Sequence, residues 1–380
     1  MIKKIQLLYL ETNKKYLMRN VFLVDIVPIE TPIDEINNRK LELENLVQTH
    51  GWIVILWEYQ KRKIPDYKTF VGKGKLEELK HQMSMEWADL LIIWNKLKPQ
   101  QIHNINESLR EIKAECRDKV DLILKIFDKH AQSTEAKLQT ELAAIKHMGP
   151  RIFGMWMELS RQWWGIGTRG KWETNIQIMK RHLRESEKKI KNKLKQYEKT
   201  RQLHRQWRKK KWLATVGIVG YTNAGKSSLL NAITNKWVQE EDKLFATLWT
   251  SVGSFYAMKE DKWKKVLVND TIWFISDLPP ELLDAFASTL EDSIQSDILI
   301  HLIDAWDKKL QEKIYLVDNI LERIWANQPR LYVFNKKDTI SSSSEENLKN
   351  ELKDYNPFFI SAQDKQWVQD LIEKIKEMIF

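Results

Sequence analysis

Three rhythms of apolar and polar residues divide the chain. Between residues 20 and 128, short apolar runs alternate with charged helical stretches. NVFLVDIV (20–27), GWIVIL (51–56) and ADLLIIW (88–94) are mainly apolar, as strands buried on both faces are. DEINNRKLELENLVQTH (34–50), KGKLEELKHQMS (73–84) and the stretch Gln100–Glu115 carry helical spacing. VDLILKIF (120–127) reads as the opening of a further strand–helix run. Alternation of this kind predicts a parallel α/β sheet.

The rhythm changes at residue 129. Leu138, Leu142 and Ile145 recur at helical spacing, as do Ile176, Met179, Leu183, Ile190, Leu194 and Tyr197. Between the two series lies MELSRQWWGIGTRGKWE (157–173), read as a loop, so the segment predicts an antiparallel helical hairpin. From Leu213 onward the strand–helix pattern returns. ATVGIVGY, VLVND, DILIHLID, RLYVFN and PFFIS are strand-like, with helices such as 281–294 and 344–353 between them. The expected organisation is an N-terminal α/β domain (1–128), a hairpin (129–212) and a C-terminal nucleotide-binding α/β domain with a mostly parallel sheet (213–380).

Charge sharpens the middle segment. The chain carries a formal net charge of +10. Residues 175–211 hold fifteen Lys and Arg against three acids. Such a run is often only a solvated helix face. This excess has one sign and ends in RQWRKKK, which favours an arm facing polyphosphate. One cysteine, Cys116, excludes an internal disulfide and a multi-cysteine metal site, and fits a reducing cytoplasm. No run approaches the length of a membrane span, so no integral membrane role is expected.

The chemistry lies in the C-terminal domain. GYTNAGKSS (220–228) follows a strand and opens a helix, matching the phosphate-binding pattern G-x-x-x-x-G-K-[ST]. Gly220 and Gly225 let backbone N–H groups turn inward along Tyr221, Thr222, Asn223 and Ala224. Lys226 places a cation at the β- and γ-phosphates, and Ser227 offers a hydroxyl to Mg²⁺. Asn223 either coordinates a monovalent cation such as K⁺ or braces the loop. NKKD (335–338) ends a strand. The Asp338 carboxylate accepts from two N–H groups on the edge of guanine, while Asn335, Lys336 and Lys337 shape the wall. Adenine lacks that pair of donors, so GTP and GDP are the expected ligands. Ser361, Ala362 and Gln363 follow the last strand, where a backbone clamp on the base oxygen belongs.

Asp270 ends VLVND and belongs near Mg²⁺ through water, with Thr271, Ile272 and Trp273 forming the switch behind it. Thr247, flanked by Phe245, Ala246, Leu248 and Trp249, is a second candidate Mg²⁺ ligand. Lys226, Thr247 and Asp270 are the residues expected to carry catalysis. Phe274 stands where a glutamine would orient the attacking water, so intrinsic hydrolysis should be slow and await a partner.

FVGKGKLEEL (70–79), GMWMELSRQWWGIGTRGKWE (154–173), VGYTNAGKSSL (219–229), EDKLFATL (241–248) and DTIWFISDLP (270–279) together resemble the HflX family of ribosome-associated GTPases. The resemblance implies a GTPase that docks on the RNA of the large ribosomal subunit and splits stalled or idle ribosomes under stress. It implies that the arm and its loop, with Arg161 and Arg169, reach toward the catalytic centre of that subunit. It also implies ATP binding by the N-terminal region, for which no motif here marks a place. A monomer is expected. Rival readings are an RNA-chaperone or helicase-associated factor and a tRNA-modifying GTPase, whose C-terminal cysteine tail is missing here.

The family loop reads roughly SRQGGGIGTRGPGE and its switch DTVGFIRDLP. Trp163, Trp164, Trp172 and Trp273 therefore stand where glycine is expected. Trp57, Trp94, Trp212, Trp306, Trp325 and Trp367 also fall at expected turns or element ends. Glycine is scarce, at 12 residues, and tryptophan abundant, at 17. Average usage would give roughly 27 glycines, close to the two combined. Most of these tryptophans are expected to be UGA codons that the source organism reads as glycine. Were Trp273 genuine, the chain would bind GTP but switch poorly, a pseudo-GTPase serving as an RNA-binding module.

Overall fold

Asn20–Val27 forms β1, the strand that its apolar run predicts, and seven of its eight residues are buried. The structure, a computed structural model, describes residues 18–131, 133–163, 169–210, 213–221, 223–234, 251–259, 262–270, 296–307, 309–324 and 326–380. The chain divides into two compact units: Met1–Lys129 with Met148–Gln177, and His130–His147 with Ile178–Phe380.

In the first unit, α1 (Ile33–His50), β2 (Ile53–Lys61), α2 (Lys73–Met85), β3 (Leu90–Ile93), α3 (Pro99–Leu109), β4 (Glu115–Asp118) and α4 (Lys119–His130) follow β1. The strands form a parallel sheet in the order β2-β1-β3-β4. One face of β1 packs Phe22, Val24 and Ile26 into a core with Leu76, Leu79 and Met83 of α2 and Ile105 of α3. The sequence reading errs at the end of this unit. VDLILKIF is helical, within α4, and the fourth strand is the preceding ECRD. This eight-residue stretch is apolar but for Asp121 and Lys125, and is too short for its pattern to separate a buried strand from a buried helix. Asp118, whose side chain accepts from the Asp121 N–H at 2.9 Å, caps the helix and decides the matter.

The hairpin helices are α5 (Thr134–Trp163) and α6 (Arg169–Lys210). Leu138 and Leu142 of α5 cluster with Ile190 of α6, and Ile145, Leu194 and Tyr197 pack against them, as the periodicity predicts. Arg201 pairs with Glu135 across the two helices. The expected loop at 157–173 is shorter than read, because helix covers residues up to 163 and from 169. Trp163 and Trp172 stand in that helical backbone, and tryptophan tolerates a helix better than glycine does by several tenths of a kcal/mol.

The rest of the second unit contains β5 (Ala214–Val219), α7 (Lys226–Thr234), β6 (Ser251–Lys259), β7 (Lys262–Asp270), β8 (Ile298–Asp304), α8 (Leu310–Arg323), β9 (Arg330–Asn335), α9 (Ser342–Glu351), β10 (Phe358–Phe359) and α10 (Lys365–Ile379). Its six-stranded sheet runs β10-β9-β8-β5-β7-β6 and is parallel except for the edge strand β6, which pairs antiparallel with β7. Sequence reading did not identify β6, although SVGSFYAMK alternates between its two faces. All six residues of β5 are buried at the centre of the sheet. From β5 the chain proceeds to β7 on one side and β8 on the other, so strand order reverses there. Ligands of open α/β sheets bind at the carboxyl ends of strands flanking such a reversal. Among the described residues, no helix is long and apolar enough to cross a membrane.

Candidate nucleotide site

At the carboxyl end of β5 the chain turns through residues 220–225 into α7. A Cβ on Gly220 would lie 2.2 Å from the Leu302 carbonyl oxygen of β8, so no side chain fits there. Gly225 has φ +89°, and a Cβ there would lie 2.4 Å from Asn335 Nδ2. Asn223 also adopts a left-handed conformation, with φ +64°. Asparagine tolerates this conformation better than most residues. Lys226 is only 2% exposed and donates to the carbonyls of Gly220 at 2.9 Å and Tyr221 at 2.7 Å. The loop thus curls around its own lysine. Ser227 lies in the first turn of α7, where a helix directs its positive end at an anion.

The second half of the site follows β9. Asn335 is buried and bridges two loops: its Nδ2 donates to the Ala224 carbonyl at 2.8 Å, and its Oδ1 accepts from the Ala362 N–H at 2.9 Å. The phosphate-loop motif, NKKD and Ser361–Ala362, more than a hundred residues apart at the extremes, are thereby joined by one side chain. Lys336 turns the chain with φ +63°, and Lys337–Thr339 forms a short 3-10 helix carrying the exposed Asp338. Ser361 is buried, and Gln363 is exposed.

The two lysines of NKKD part company. Lys336 is ion-paired with Asp304 of β8 at 2.7 Å. Lys337 pairs with Glu345 of α9 at 3.2 Å and lies 5.0 Å from the centre of the Trp367 ring of α10. It braces helices outside the site, a role its place in the motif did not reveal.

Asp270 is the last residue of β7, and its backbone pairs with Ile218 of β5, two residues before Gly220. The sheet therefore brings it beside the phosphate-type loop. Its neighbours Thr271, Ile272 and Trp273 lie outside the described residues, as do Thr222, Phe245, Ala246, Thr247, Leu248 and Trp249. The hydroxyl of Ser227 and the carboxylate type of Asp270 are hard oxygen donors, the donor class that suits Mg²⁺.

Three further residues beside the loop escaped the sequence reading. His301 and Asp304 of β8, with Lys313 of α8, line a small cavity with Tyr221 and Ala224. Lys313 lies 4.4 Å from the centre of the Tyr221 ring and pairs with Asp307. His301 is buried, and that burial pushes its pKa down despite Asp318 Oδ1 at 3.4 Å. The imidazole stays neutral at pH 7 and adds no second charge near Lys226. Only the strand-end position of Asp304, closing the apolar run DILIHLID, hinted at any of this.

Comparison with known proteins accords with this geometry. Family models for the N-terminal region of GTP-binding GTPases, their middle region and a 50S ribosome-binding GTPase match residues 37–128, 130–208 and 215–336. The chain is similar to GTPase HflX of Caldanaerobacter subterraneus, at 40% identity over 93% of this chain and 79% of the relative. It is 37% identical to GTPase HflX of Escherichia coli over 89% of this chain and 78% of that one. A crystal structure of a GTP-binding protein from Sulfolobus solfataricus in complex with GDP superposes with a TM-score of 0.51 at 26% identity, covering 95% of this chain and 99% of that one. With a P-loop, an NKKD turn and relatives of this identity across most of its length, the chain belongs to the HflX family of GTPases.

Proposed function

We propose that this GTPase binds the large ribosomal subunit and uses GTP to split stalled or idle ribosomes under stress. The observation that carries the reading is α6, whose cationic run from residue 175 leads into the nucleotide-binding fold. That helix suits the phosphates of folded RNA. The match of residues 215–336 to a 50S ribosome-binding GTPase model supports the same partner. Residues 1–128, 129–212 and 213–380 act as three modules in this account. ATP use by the first and K⁺ at Asn223 are extensions of it. Hydrolysis is expected to be slow alone and to rise at least tenfold with purified large subunits, because Phe274 supplies no water-orienting group. Equal rates of phosphate release with and without subunits would overturn the proposal.

Within this reading, Lys226 and the loop N–H groups hold the phosphates, and Asp338 with Asn335 selects guanine. Ser227 and Thr247 would hold Mg²⁺, with Asp270 as a further oxygen donor near it. The metal neutralises charge between the phosphates when bound.

We also propose that most tryptophans of this chain are glycine in the native protein. Two helix ends support this. After α1, Gly51 takes φ +91° while the Trp52 N–H donates back to Val47 at 3.1 Å. After α2, Trp87 takes φ +53° while the Ala88 N–H donates back to Met83 at 2.9 Å. The motif is the same, and it favours glycine at the left-handed position. Trp87 is 86% exposed there, and Trp306 is 68% exposed in the turn after β8. Not every position agrees. Trp57 lies within β2, away from its ends, while Trp367 stands at an element end but inside the first turn of α10, whose helical backbone does not call for glycine. Trp94 is buried, with the Lys119 ammonium 3.5 Å from its ring centre, and its packing is accounted for as written. Lys113 holds a left-handed conformation too, so backbone alone does not demand glycine. Peptide mass spectrometry of protein from its source is expected to read glycine at 87 and 273. Tryptophan at 273 would end this reading and favour the pseudo-GTPase.

A further inference from the structure

We propose that Asp304 is a positioning residue for guanine recognition, acting through Lys336. The inference rests on the reading of NKKD as the base site. Lys336 occupies a left-handed backbone conformation, φ +63°, which residues with a side chain rarely adopt. Something must hold it. Asp304 Oδ2 accepts from the Lys336 ammonium at 2.7 Å, and Asp304 Oδ1 accepts from the Trp306 N–H at 3.0 Å. The adjacent Ala305 N–H donates to the Asn335 carbonyl at 3.0 Å. The turn after β8 and the turn after β9 are thus tied by one backbone bond and one ion pair.

The consequence concerns the lysine's stem. A lysine with a free ammonium samples many rotamers. One fixed at both ends, by the turn and by Asp304, presents its four methylenes as an ordered apolar wall. A wall set before the ligand arrives spares the ordering entropy that binding would otherwise cost. The partner is also close to the phosphate side of the site, since Asp304 lines the same small cavity as Tyr221, Ala224 and Lys313. The pair is partly covered, with side chains 32% and 19% exposed, so solvent weakens it without removing it. Lys337 makes the contrast, since its ammonium is engaged by Glu345 and no base-site role is open to it in this arrangement.

The test is a double-mutant cycle on the full chain with Asp304→Asn, Lys336→Met and the combination, reading the Kd of fluorescent GDP. Each single change is expected to weaken GDP binding about tenfold, a typical loss for a charge-assisted contact. The double variant is expected to bind no worse than the weaker single one, because both changes break one unit. Asp304→Glu, which keeps the charge, is expected to recover part of the loss, and thermal unfolding checks that each variant folds. Losses that multiply in the double variant, or an Asp304→Asn protein with unchanged GDP affinity, would overturn the inference. If Lys336→Met and Asp338→Asn also leave GDP affinity unchanged, it is the base-site reading that fails. A loss confined to Lys336→Met removes Asp304 alone.

Discussion

An Asp338→Asn protein is expected to bind GTP at least 100-fold more weakly and to gain affinity for xanthosine triphosphate. The carboxylate of Asp338, exposed on its 3-10 turn, is a pure acceptor, and in the proposed base site it would meet the two N–H donors on one edge of guanine. An amide replaces one acceptor with a donor, which then meets an N–H head on. Xanthine carries a carbonyl in place of the exocyclic amine and offers the acceptor that the amide seeks. Sites built on paired polar groups reject mismatched ligands by factors of about 10⁴, because a buried group is left unpaired. The figure of 100-fold is a lower bound, since Asp338 sits at the rim. Competition of GTP, ATP and xanthosine triphosphate against labelled GDP measures it. Unchanged preference for GTP would remove Asp338 from the site and leave NKKD as a turn.

Lys226→Ala is expected to lower turnover by about 10² to 10³-fold, the usual loss when one preorganised donor to a developing charge is removed. The structure adds a second cost. Lys226 is buried, and its ammonium holds the carbonyls of Gly220 and Tyr221 inward. Alanine leaves both carbonyls without that donor and loosens the loop, so affinity for GDP should fall together with the rate. Lys226→Arg is expected to fail as well, because a guanidinium is too large for the curl of the loop. Single-turnover phosphate release and GDP titration separate the two effects. A Lys226→Ala enzyme with native turnover would contradict the phosphate role of this loop.

The limits of sequence reading fall at particular residues. The phosphate loop and NKKD were legible because their chemistry fixes residue types at fixed spacing, and β5 and β9 flank them as predicted. VDLILKIF was misread because eight residues, with Asp121 and Lys125 among them, are too few for a period to show, and the cap at Asp118 belongs to the neighbouring strand. The edge strand β6 was missed because its pairing partner, β7, supplies the evidence that it is a strand. Trp87 was missed because a left-handed residue is defined by its backbone angle, to which the side chain written there gives no clue.

The order of residues by itself determined the α/β character, the hairpin between two α/β segments, the family and the candidate groups proposed to meet GTP. Each of these depends on local periodicity or on short motifs whose chemistry is carried within a few residues. Tertiary structure alone decided that Asn335 joins three distant loops, and that Lys336 faces Asp304 while Lys337 turns to Glu345. Two adjacent lysines are equivalent as letters. They become different residues only when the fold places the strand-end carboxylate of Asp304 beside one and the helix carboxylate of Glu345 beside the other.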